Sequence, residues 1–127
     1  MAAHPVRKQN ATARWINVLL RTVHLLAVVA LAARVLTGQA DAPGTHSIAV
    51  VVVISGVTMF VLDFLRNPSH LREVAGVGVV LKIAMCIWMV LQPALLVPIF
   101  WALLLVSSLI SHAPKNFRHH VWLPRTN

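Results

Sequence analysis

Acidic residues are scarce in this chain: three Asp and Glu among 127 residues, against eleven Lys and Arg, for a formal charge of +8. Charged residues of both signs make up only 11%. Soluble domains run near about 25%, so an ordinary soluble domain is excluded. A disordered tail is excluded as well, because 58% of the residues are hydrophobic and the mean hydropathy is +0.78. Cysteine occurs once, as Cys86, which rules out an internal disulfide. There is no repeat and no low-complexity tract. Paired carboxylates, a nucleophile–base pair and a phosphate-cradling loop are also missing, so no catalytic activity of its own is expected.

What is present is long apolar runs. A helix crosses the hydrocarbon core with about 20 mostly apolar residues. Four segments approach that length, at about 15–36, 47–65, 74–91 and 94–111. None alternates as a membrane strand does, and an unpaired backbone in lipid demands helices. The expected fold is all-α: an integral-membrane four-helix bundle over residues 15–112, between a basic tail at 1–14 and a basic juxtamembrane tail at 113–127. The breakers agree with these bounds. Thr37 to Gly44 is rich in turn formers, Asn67-Pro68-Ser69 ends the second span, and Gln92-Pro93 divides the last two. Ser69 would cap a short helix carrying His70 and Arg72. Arg21 and Arg34 mark the first run as a retained span rather than a cleaved secretory signal.

The basic residues predict an orientation. Arg7, Lys8 and Arg14 precede the first span, Arg66 and Arg72 lie between the second and third, and Lys115, Arg118 and Arg125 follow the fourth. With four spans all of these fall on one side, which the positive-inside rule makes cytoplasmic. Trp15 and Trp122 would mark the inner interface, and Trp88 would lie nearer the outer one. The expected location is the inner (cytoplasmic) membrane of a bacterium. The excess positive charge is read as this topology signal and not as nucleic-acid binding. The tail with Lys115, Arg118, His119, His120 and Arg125 would attract anionic lipid.

Polar residues within the spans recur at helical spacing: Asn17, Arg21 and His24; Met59, Asp63 and Arg66; Lys82, Cys86 and Met89; Trp101, Leu105, Ser108 and His112. Each set predicts a face turned from lipid into the bundle. By helical rise, His24 lies about 13 Å beyond Trp15, deeper than the other histidines. Arg21, His24, Asp63, Arg66, Lys82 and His112 would then share the inner half of the bundle. One reading is structural: Asp63 pairs with Arg21 or Lys82 and sets helix register. The other is a site, since ionisable residues inside a membrane are functional suspects. Its positive sign suits an anion, a lipid headgroup, haem propionates or a quinone carbonyl.

Soft donors are also available. Met59, Met85, Cys86 and Met89, with His24, offer thioether, thiolate and imidazole groups of the kind that favour Cu(I). Met and Cys are equally ordinary apolar filling. For haem b the axial candidates are His24 and His112, on the first and fourth spans. Arg21 and Lys82 would face the haem propionates or a quinone carbonyl, whereas their charge repels a bare metal cation unless its ligands are soft and lie elsewhere.

Arg21-Thr22-Val23-His24-Leu25-Leu26 resembles the His-bearing span of the copper-resistance D family. Ser55-Gly56 resembles a small-residue pair in that family's second span. Gly76-Val77-Gly78-Val79-Val80-Leu81-Lys82 is similar to its glycine-then-lysine third span. The chain also resembles small bacterial four-span proteins ending in Ser-His-x-Pro-x-x-x-Arg, here Ser111-His112-Ala113-Pro114-Lys115-Asn116-Phe117-Arg118. The resemblance implies a small non-catalytic membrane protein that binds copper or another redox cofactor within its bundle. Two alternatives stand beside it: a haem-b electron-transfer or quinone-site subunit, and a structural partner or assembly factor, alone or as a homo-oligomer.

Overall fold

The computed structural model of the chain describes residues 10–66, 68 and 74–118. Arg7, Lys8, Ser69, His70, Arg72, His119, His120, Trp122 and Arg125 lie outside the described residues. The architecture is all-α. Four helices follow one another: α1 (Ala11–Leu36), α2 (Thr45–Arg66), α3 (Val74–Leu91) and α4 (Leu96–His112). A 3-10 turn, Pro93–Leu95, leads into α4, and a short helix, α5 (Lys115–Arg118), follows it. The bounds expected from the apolar runs agree with these helices, except that α1 begins four residues earlier, because Ala11-Thr12-Ala13 can extend it into the polar region.

Three of the helices are long and apolar enough to cross a membrane: α1, α2 and α4 with its leading turn. The third run, expected as an equal span, is shorter. Its 18 residues rise about 27 Å, just short of the hydrocarbon thickness, and Lys82 interrupts them. The outer surface is what lipid requires. Leu19, Leu25, Leu26, Ile54, Leu81, Leu105 and Leu109 all stand exposed, and patches of that extent are not tolerated in water. This is a multi-pass membrane surface around a modest core of Ala27, Leu31, Val35, Ala49, Val52, Met89, Leu96, Ile99 and Phe100.

Each helix packs chiefly on the next in sequence. Neighbours run antiparallel. His46, at the start of α2, bonds the Val90 carbonyl at the end of α3, while Asp63, near the end of α2, shares a cavity with Gly76 at the start of α3. Gly78 and Ile110 meet across α3 and α4 so closely that a Cβ on Gly78 would strike the Ile110 side chain. The missing side chain is what lets these two helices approach.

The α1–α2 connection explains its own turn-forming sequence. Gly38 takes a positive φ of 70° just past the end of α1. The Gln39 N–H then donates to the Arg34 carbonyl at 2.8 Å and the Gly38 N–H to Val35 at 3.3 Å. This is a Schellman motif, and it satisfies carbonyls that the helix end leaves free. The Thr37 hydroxyl covers Ala33 at 2.7 Å. Thr45, 1% exposed, donates its hydroxyl to the Gln39 carbonyl at 3.2 Å and ties the loop to α2.

Candidate functional site

All four helices contribute to one cavity of about 220 Å³. Its walls are mostly aliphatic and aromatic, from Leu31, Val52, Ile83, Phe100 and Leu103. The polar side chains on it are His24 from α1, Lys82 and Cys86 from α3, and Ser107 from α4. A mainly apolar hollow with a few converging polar groups is the usual form of a small-molecule site.

His24 is held by α2. Its Nδ1 lies 2.8 Å from Ser55 Oγ. The Ser55 hydroxyl has a single proton, and its shortest acceptor is the Val51 carbonyl at 2.6 Å, with Val52 at 3.2 Å. Serine on a helix often bonds the preceding turn in this way. With that proton committed, Ser55 Oγ accepts from the His24 Nδ1–H, so in the neutral ring Nε2 keeps its lone pair. Gly56, the next residue, allows the close approach: a Cβ there would stand 3.2 Å from His24 Cε1. Ser55 and Gly56 thus act together, one orienting the imidazole and the other making room for it.

The structure gathers some of the residues singled out from sequence and separates others. His24, Met59, Lys82, Cys86 and Met89 line the same cavity. Met85, one turn from Met89, packs against the core and does not line it. Arg21 is exposed on α1, and His112 is exposed at the end of α4, five residues beyond Ser107 on the wall. A His24–His112 axial pair is therefore not assembled. Asp63 is exposed and lines a second cavity of about 210 Å³, together with Phe60, Phe64 and Gly76. The expected pairing of Asp63 with Arg21 or Lys82 is divided between the surface and two cavities, which adjoin at Gly56, Met59 and Val79.

The stripe expected on α4 also differs. Trp101, Leu105, Ser108 and His112 face outward, with Trp101 50% exposed. The inward face carries Phe100, Leu103 and Ser107 instead. Both faces of α4 are apolar, so hydropathy contrast could not choose between them. Sequence reasoning missed Ser55 as the partner of His24. The available signal was a serine in an apolar run, which needs a hydrogen-bond partner inside a bundle. It also missed His46, whose Nε2 lies 3.1 Å from the Val90 carbonyl.

Among the described residues, no group of three or more His, Cys, Asp and Glu side chains comes together as a metal would require. What the central cavity offers is an imidazole on His24 and an amine on Lys82, both on walls that are otherwise mainly apolar. Comparison with family models, with curated proteins and with solved structures finds no match for this chain.

Proposed function

We propose that this chain is a non-catalytic inner-membrane protein that holds a small redox ligand of the quinone class between its four helices. In this reading α3 crosses the membrane with the other helices. It lies between α2 and α4 in the packing order, so both of its neighbours are long apolar spans. Four crossings put the chain ends and the basic residues, except Arg34 at the far end of α1, on the cytoplasmic side.

The observation that carries the ligand reading is the composition of the central cavity. A quinone ring is flat and apolar and bears oxygens at its edges. The Lys82 ammonium donates to a ring oxygen, and the His24 Nε2 lone pair accepts from a ring hydroxyl in the reduced form. Apolar walls take the ring faces. Ligand pockets commonly enclose about 300–1,000 Å³, so a 220 Å³ cavity suits a single substituted ring and is small for a haem macrocycle. A hydrocarbon tail on the ring would leave between the helices into lipid.

A second reading rests on a different observation. His24, Met59, Cys86 and Met89 all line this cavity, and nitrogen with soft sulfur donors suits Cu(I). It is also the reading implied by the resemblance to the copper-resistance D family. Lys82 on the same wall opposes it, because an ammonium repels a metal cation.

One preparation tests both readings. The protein is purified in a mild detergent, extracted with organic solvent for quinone, and assayed for copper by atomic emission. Stoichiometric quinone, lost in Lys82→Met and His24→Ala, is the expected result. Stoichiometric copper without quinone would replace the first reading with the second. Neither ligand in a folded protein would leave the bundle as a scaffold or assembly partner.

A further inference from the structure

The second cavity has a different chemistry from the first. It lies between the end of α2 and the start of α3, and encloses about 210 Å³. Among the described residues, Asp63 is the one polar side chain on its wall. Phe60 and Phe64, one turn apart, line it with rings nearly parallel, at 15° and 6.5 Å between centroids. Gly56 and Gly76 contribute no side chains, which leaves the space open. The C-terminal turn of α2 and the N-terminal turn of α3 lie side by side, so their opposite end-charges offset. The Asp63 carboxylate then sets the sign of the cavity. Arg66, the nearest basic residue in sequence, is exposed and is not on the wall.

A carboxylate beside aromatic faces selects a cation. The lack of further polar groups among the described residues of the wall narrows the class. A primary ammonium brings three N–H donors, and each needs an acceptor when removed from water. Asp63 alone cannot satisfy them, and among the described residues the glycines and phenylalanines of the wall offer no other side-chain acceptor. A fully alkylated ammonium carries the same charge with no N–H to satisfy. Its methyl groups also pack on aromatic rings. We propose that this cavity is a binding site for a small quaternary ammonium compound, held by Asp63 and the faces of Phe60 and Phe64. It is separate from the quinone reading, because His24 and Lys82 take no part in it.

The test is equilibrium dialysis of the full chain in maltoside micelles against protein-free micelles, with choline as the probe. The comparison ligand is 3,3-dimethylbutanol, which has the same shape and no charge. Choline should be retained saturably, and the neutral compound about tenfold more weakly or not at all. Asp63→Asn should weaken choline binding by about tenfold or more, and Phe60→Leu by several-fold. His24→Ala should bind choline as the parent does, which keeps this site distinguishable from the central one. Equal retention of the neutral compound by the parent protein would overturn the proposal without any variant. So would unchanged choline binding by a folded Asp63→Asn protein, or no choline binding by the parent.

Discussion

The imidazole of His24 and the hydroxyl of Ser55 meet 2.8 Å apart across α1 and α2, and the hydroxyl donates its own hydrogen bond to the Val51 carbonyl one turn back. A residue of α2 therefore decides which nitrogen of an α1 histidine carries hydrogen. Removing either partner leaves the other with an unmet polar group between helices. A double-mutant cycle of His24→Ala and Ser55→Ala, followed by unfolding in mixed micelles, should give a coupling of about 0.6–1.5 kcal/mol. Additive losses from the two substitutions would show that the contact contributes nothing to stability.

Gly78 and Ile110 give a second prediction. Gly78→Leu should weaken α3–α4 packing and lower the unfolding temperature, because the added side chain enters space that Ile110 occupies. Gly78→Ala should be milder, since the atom it strikes is the flexible end of the isoleucine. Pairing either substitution with Ile110→Ala should restore part of the loss. An equal loss with and without Ile110→Ala would place the strain elsewhere.

His46 closes the opposite end of the bundle. Its Nε2–H donates to the Val90 carbonyl, one of the last in α3 and beyond the reach of an intrahelical partner. His46→Ala should lower stability by about 0.5–1.5 kcal/mol. The local signature would be faster amide exchange at Leu91 and Gln92, read by mass spectrometry, with α1 unaffected. Uniform protection in the variant would mean that water replaces the imidazole without loss.

The four crossings proposed above predict the behaviour of fusions. A reporter active only outside the cytoplasm should be silent after Asn127 and active when inserted between Gly38 and Pro43. Activity at both positions would mean an even number of crossings between them, with α3 lying at the surface of the membrane.

Helix bounds followed from the apolar runs because each break carries its own chemistry. Gly38 adopts a left-handed conformation that glycine takes without strain, and Pro93 begins the turn before α4. Facing was readable only where polarity differs around the helix. Lys82, Cys86 and Met89 on α3 share one wall, as their spacing suggests. On α4 the inward Phe100 and Leu103 look like any lipid-facing residue, so the polar-looking Ser108 and His112 were a false guide. Depth was harder still. Helical rise places Asp63 near the C-terminal end of α2 and Lys82 about 9–12 Å into α3, while Met59 and Val79 stand where their two cavities adjoin, an arrangement that depends on how α2 and α3 mesh.

The neighbour-by-neighbour packing order also bears on how the chain is made. The principal contacts of each helix lie with the segment that leaves the ribosome just before or just after it. The α1–α2 hairpin can therefore be completed while α3 is still being synthesised. The later pair faces a harder entry, because a lysine at mid-helix opposes insertion by about 2.5–3.5 kcal/mol. Only four residues separate the end of α3 from the start of α4, which has no Lys, Arg, Asp or Glu. The apolar α4 can carry its reluctant neighbour into the bilayer as a unit, with Lys82 turned toward the waiting first hairpin. Truncation before Leu96 should accordingly strand α3 outside the hydrocarbon, leaving a two-span product that quality-control proteases remove.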